Sequence, residues 1–159
     1  MKLTIVVVGR PGALLAEAIA DYEQRAARYW TMEISEVKAE KASRGKTEKD
    51  VQDAEGERLL ARVPPDSQIV ALTRQGGDAW SSARLARLLE ERALHAGPDL
   101  TFLIGGAFGL SEEVLRVAER RMRLSAFTLT HDIARLILAE QLYRVGTIVR
   151  GEPYHKGRV

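Results

Sequence analysis

The chain contains no cysteine. Disulfide frameworks, thiolate nucleophiles and zinc–cysteine sites are thereby excluded together. Long hydrophobic runs are missing as well. The N-terminal LTIVVV, residues 3–8, is apolar for six residues before Gly9 and Arg10, shorter than a secretory core and far below the length of a membrane span. A cytoplasmic protein without membrane association is therefore expected. Neither G-x-G-x-x-G nor G-x-x-x-x-G-K-[ST] occurs, so the dinucleotide fingerprint and the P-loop are both absent. There is no internal repeat and no low-complexity linker. Neither sign of charge dominates: 24 Lys and Arg face 22 Asp and Glu, a net +2, so any nucleic-acid argument must rest on local clusters.

What is present suits one domain. The 159 residues are 45% hydrophobic, enough for one sizeable core and too few for two ordinary domains. Strand-length apolar runs recur at 3–8, 33–37, 68–73, 100–104 and 124–129, with helical patterns at 12–29, 47–62, 81–95, 111–122 and 131–145. In the first helix Leu14, Leu15, Ala18, Ile19, Tyr22, Ala26 and Tyr29 share one side. The alternation predicts an α/β fold: a mostly parallel sheet with helices on both faces. The last helix, HDIARLILAEQLYRVG, spreads apolar residues around most of its circumference. It is either a central core helix or one that packs on its own sheet and on a second subunit, which would make an isologous homodimer.

Four stretches carry candidate chemistry. In TFLIGGAFGLSEEVL, residues 101–115, three glycines follow a strand, and Ser111 is a good N-cap that sets Glu112 and Glu113 at a helix start. A pyrophosphate would compete with those carboxylates. The loop suits a neutral or cationic ligand at the carboxyl end of a parallel strand, or it is only a tight turn. In RLSAFTLTHDIAR, residues 123–135, Thr130 or Asp132 caps the following helix and His131 sits at the junction. KAEKASRGKTEK, residues 38–49, carries five positive charges against two negative. It is a solvated loop or a phosphate contact. The tail GEPYHKGR, residues 151–158, brings Tyr154 and His155 beside Lys156 and Arg158. Such a combination holds splayed RNA bases, the alternative being a frayed terminus.

Together, LIGGxxGL after a strand, LSxxTLxH leading into an apolar helix with E-x-L-Y-R, and a terminal PYHK resemble the RlmH family of SPOUT methyltransferases. The likeness runs end to end, from MKLTIVVVG to PYHKG. It implies methylation of N3 of a pseudouridine in helix 69 of 23S rRNA, with S-adenosylmethionine as cofactor and no metal. It also implies a homodimer with the active site between subunits, and a deep trefoil knot in the C-terminal part. The cofactor contacts it implies fall on Leu72, Gly105 and the run Leu124, Ser125, Ala126, Phe127, Thr128 and Leu129. Thr130 and Ala107 stand where the family commonly has Pro, and Pro or Ser, which alters loop rigidity rather than reactive chemistry.

Transfer to a weakly acidic ring nitrogen needs in-line positioning and removal of a proton. His155 is expected as base or substrate orienter, and Tyr154 as a stacking or hydrogen-bonding contact. His131, Arg135 and Arg144 are expected on the substrate side, with Glu140 paired to Arg144 at i, i+4. The basic loop, Arg116, Arg120, Arg121, Arg123 and the tail are expected to read an assembled ribosome. Two other classes stay open: a non-enzymatic ribosome-binding or assembly factor, and a flavodoxin-type nucleotide module, against which the missing phosphate loops speak.

Overall fold

The computed structural model of the chain describes residues 1–154; His155, Lys156 and Arg158 lie outside the described residues. Six strands form one sheet: β1 Lys2–Val8, β2 Thr31–Val37, β3 Gln68–Leu72, β4 Asp78–Ala79, β5 Leu100–Ile104 and β6 Arg120–Arg123. Their order is β2-β1-β5-β3-β6-β4 and every pairing is parallel. The five helices are α1 Ala13–Ala26, α2 Glu48–Leu60, α3 Ser82–Leu94, α4 Glu112–Val117 and α5 His131–Val149. The expected α/β architecture is present.

Two-residue alternation along the central strands decides which helices cover which face. Leu3, Ile5, Val7 and Phe102 point toward Ala26 of α1, Leu85 and Leu89 of α3, and Leu138 and Leu142 of α5. Val6, Val8 and Leu103 point the other way, toward Leu59 of α2 and Val114 of α4. With β1 and β5 buried on both faces, their sequences read as continuous apolar runs. Side chains start the helices: Thr47 and Asp50 form a capping box on α2, while Ser81, Ser111 and Thr130 each accept from an amide in the first turn of α3, α4 and α5.

One expected strand is not there. Residues 124–129 form a loop, and the strand lies just before it as β6, where the helix expected over 111–122 has already ended at Val117. Only Met122 of β6 is buried, and the three arginines beside it hide the strand from a hydrophobicity pattern. β6 inserts between β3 and β4, so that Leu72 and Asp78 flank Met122 on its two sides. Residues 73–77, which join β3 to β4, must therefore cross β6. At the crossing Gly77 has φ +77°, and a Cβ there would lie 2.8 Å from the Cβ and 2.9 Å from the carbonyl oxygen of Arg121. Only glycine lets the two segments approach so closely.

α5 runs along α1 and α3. The indole nitrogen of Trp30 donates to the Leu142 carbonyl at 2.9 Å. Tyr29 packs on Gly146, where an added Cβ would lie 2.6 Å from the Tyr29 Cβ. Because the tyrosine is met close to its own backbone, it cannot swing clear by rotation. Beyond α5 the chain turns back on this same support: Glu152 donates its amide to Thr147 and accepts from the Tyr29 hydroxyl. The tail is therefore docked as far as Tyr154.

Gly146→Ala is expected to lower stability by about 1–2 kcal/mol, since the overpacking cost exceeds the gain in helix propensity. Urea denaturation checks this. A variant as stable as the parent would contradict the packing described.

Candidate functional site

Strands β3, β5 and β6 deliver three loops to one edge of the sheet, and between these loops and the start of α5 lies a cavity of about 430 Å³. The carboxyl edge of a parallel sheet is where such folds bind ligands. Of the expected cofactor residues, Leu72, Gly105, Leu124, Ser125, Phe127, Thr128 and Leu129 line this cavity; Ala126 does not and is exposed. Phe127 stands on the rim, 82% exposed, rather than forming an inner wall. The Ser125 hydroxyl accepts from the Phe127 amide at 2.9 Å and bends the loop there.

The glycine loop folds on itself. Gly109 donates to the Gly106 carbonyl at 3.0 Å, and a Cβ on Gly105 would lie 2.6 Å from the carbonyl carbon and 2.8 Å from the carbonyl oxygen of Gly109. From behind, α2 fixes the loop at two points. Gln52 donates to the Phe108 carbonyl at 2.7 Å. Glu55, only 3% exposed, sets its carboxylate against Gly106, where a Cβ would lie 2.6 Å from Oε2. Its Oε1 accepts from the amide of Glu40 at 3.0 Å. The basic loop is thereby tied to the glycine loop through α2. Glu40 in turn pairs with Lys46 and Arg58, which hold its carboxyl down at about 2. The loop is fastened at its acidic residue, leaving Lys41 and Arg44 exposed on it.

His131 lines the cavity, half-buried, with Nε2 3.2 Å from Oδ1 of Asp132. Thr130 caps α5. Asp132 serves a different helix, accepting from the Gly12 amide before α1 at 2.8 Å. Arg135 is not on the substrate side. It is 4% exposed, with Nε 2.7 Å from Glu23 of α1 and Nη1 2.7 Å from Glu36 of β2. Burial of a guanidinium demands such partners. Glu112 and Glu113 also point elsewhere, into a cleft shared with Lys49 and Arg116 of α2 and α4, and they bear on ligand choice only indirectly.

The second group of expected residues gathers on the later turns of α5. Arg144 pairs with Glu140 at 2.6 Å, and its guanidinium carbon lies 5.0 Å from the centre of the Tyr154 ring. The Tyr154 hydroxyl donates to Glu140 at 3.2 Å, and its ring stands 4.6 Å from that of Tyr143. Burial, with Tyr22 and Glu140 beside it, pushes the Tyr154 phenol up to about 12. The phenol is thus a proton donor, not a base, at neutral pH. Arg144 follows His131 by thirteen residues, roughly 20 Å along the helix axis at about 1.5 Å per residue. Within one chain, the cavity and the Arg144–Tyr154 cluster are apart.

The family described as "Predicted SPOUT methyltransferase" matches residues 1–155. The ribosomal RNA large subunit methyltransferase H of Gemmatimonas aurantiaca is 48% identical over 157 residues, covering 98% of this chain and 100% of that one. The chain belongs to the ribosomal RNA large subunit methyltransferase H family. The Syntrophotalea carbinolica protein of the same name is 46% identical over 156 residues, covering 98% and 99%. Two more distant solved structures share the fold. A probable methyltransferase from Bordetella pertussis has TM-score 0.55 at 13% identity, covering 90% of this chain and 95% of that one. The tRNA (m1G37) methyltransferase from Aquifex aeolicus has TM-score 0.54 at 15% identity, covering 100% and 77%. For this member of the methyltransferase H family, the sequence reading missed Arg74, which lines the cavity, and Glu55 and Gln52, which hold the glycine loop from α2. Arg74 was signalled by its place just past a strand end; nothing in the α2 pattern marked Glu55 or Gln52 as reaching the loop.

Among the described residues no group of three or more His, Asp or Glu is arranged to hold a metal, and no helix is long and apolar enough to cross a membrane. Gly105→Ala would force the glycine loop open against its own backbone. The variant is expected to stay folded by circular dichroism yet lose measurable binding of S-adenosylmethionine, the cofactor implied by the sequence resemblance. Binding at parental affinity in calorimetry would show that the loop does not shape the site.

Proposed function

We propose that the chain methylates N3 of a pseudouridine in helix 69 of 23S rRNA, with S-adenosylmethionine as methyl donor. It acts as a single-domain homodimer on assembled ribosomes in the cytoplasm. The observation that carries this reading is the cavity at the ends of β3, β5 and β6, walled by loops from three strands, in a chain of this family.

The residues present fit the cofactor. Leu72, Ile104, Leu124 and Leu129 offer apolar walls to an adenine, and the glycine loop exposes backbone groups at close range. The volume lies within the ~300–1,000 Å³ usual for small-molecule sites. When bound, the cofactor supplies an activated methyl group on a sulfonium. This chain's own part is to orient the ring nitrogen and manage its proton. His131 faces the cavity from the start of α5. Arg144, held by Glu140, offers positive charge to a uracil-like ring that becomes anionic, and Tyr154 offers an aromatic face and a proton donor. His155, adjacent to Tyr154 in sequence, is assigned the proton from N3.

The separation of Arg144 and Tyr154 from the cavity supports an active site shared between subunits. The outer stripe of α5 supports it too: Ile133 is 39% exposed, and nearby on α1 Leu14 is 93% exposed. An isologous pairing across this stripe covers apolar surface and sets one subunit's tail beside its partner's cavity. The passage of β6 between β3 and β4, under the 73–77 link, supports the trefoil knot that the family implies. Lys41, Arg44, Arg120 and Arg121 supply exposed cations for ribosomal phosphates.

Labelled methyl from S-adenosylmethionine is expected to appear at N3 of a helix 69 pseudouridine on ribosomes lacking it. Free large-subunit RNA should accept little, and His155→Ala should abolish transfer while cofactor binding persists. No label on any ribosomal particle, from folded dimeric protein, would overturn the reading in favour of a binding factor.

A further inference from the structure

Among the described residues Arg74 is the one permanently charged side chain lining the cavity. It is exposed, it lies two residues past the end of β3, and no carboxylate pairs with it among the described residues. Its guanidinium packs against the glycine loop: a Cβ on Gly109 would meet Nη2 at 2.8 Å, and Nη1 reaches the Ala107 carbonyl only at 3.5 Å. That contact is at the limit of a hydrogen bond and leaves most of the donor fork unused. Beyond Arg74 lies a second cavity of about 420 Å³, toward Glu48, Gln52, Gln75 and Phe108. The two cavities share Leu72, Thr73, Arg74, Gly109 and Thr128, so Arg74 stands at their junction.

The cofactor proposed above, on which this inference rests, has three chemically distinct parts: an apolar adenosine, a sulfonium, and an amino-acid end with a single carboxylate. Among the described residues no acidic side chain lines the first cavity, and the one carboxylate lining the second, Glu48, is not among the residues that the two cavities share. We infer that Arg74 binds the carboxylate of the cofactor's amino-acid end at the junction of the two cavities, the adenosine occupying the first. A planar guanidinium matches a carboxylate with two parallel hydrogen bonds, and its exposure fits the end of the ligand nearest the mouth. Gly109 is needed beneath it, because any side chain there would displace the guanidinium.

The test compares three ligands by calorimetry on the intact protein: S-adenosylmethionine, S-adenosylhomocysteine, and 5′-methylthioadenosine, which keeps the adenosine and lacks the amino-acid end. Arg74→Ala is expected to weaken the first two by about tenfold or more, the effect of losing a charge-assisted hydrogen bond, and to leave 5′-methylthioadenosine unchanged. Arg74→Lys, which keeps the charge and loses the fork, should fall between. Equal loss for all three ligands would overturn the inference and make Arg74 a support of the loop. Unchanged cofactor affinity with a raised KM for ribosomes would overturn it in favour of an RNA phosphate contact. If the parent protein bound none of the three, the cofactor assignment itself would fail, and this inference with it.

Discussion

The passage of β6 between β3 and β4 is the constraint on which the site depends. It brings three strand ends together at one edge of the sheet, so that loops distant in sequence, after Leu72, Ile104 and Arg123, enclose a common cavity. It also forces the 73–77 link across β6, with Gly77 against Arg121, and that crossing sets Arg74 on the rim. Were β6 simply to add at the sheet edge beyond β4, the loop 124–129 would lie a strand farther from the glycine loop. The cavity is thus a product of topology before it is a product of any side chain.

α5 runs from this cavity to the Arg144–Tyr154 cluster. Its first turn is fixed by Arg135, which ties it to Glu23 and Glu36, and by Asp132, which holds the Gly12 amide. Its last turns are fixed by Tyr29 and Trp30. Breaking the Arg135 network would leave carboxylates without their counter-charge, the costly outcome for groups removed from water. Along the helix Ile133 is exposed, and Glu140 and Arg144 stand half-buried farther on. The helix is a rigid spacer, and its length keeps the Arg144–Tyr154 cluster from its own chain's cavity.

Much of this was legible in the sequence, for identifiable reasons. β1 and β5 are buried on both faces, so their apolar runs stand out, and Ser111 and Thr130 cap their helices as their positions suggest. LSAFTL misled because Leu124, Phe127 and Leu129 line the cavity and its rim rather than a sheet, while RRMR forms a strand that needs only Met122 inward. Arg135 could not be distinguished from Arg144 by type, since only the fold reveals that acidic partners on α1 and β2 surround one of them. Glu112 and Glu113 are at the helix start, as expected, but the direction of the helix turns them into another cleft.

The central claim is that each active site is assembled from the cavity of one subunit and the α5–tail cluster of the other. Complementation tests it most directly. Gly105→Ala damages only the cavity and Arg144→Ala only the cluster, so dimers formed by unfolding and refolding the two inactive variants together contain one intact combination. The account predicts that methyl transfer to ribosomes returns in the mixture though neither variant alone is active. Continued inactivity, with mixed dimers demonstrably formed, would contradict it and put the whole site within a single chain.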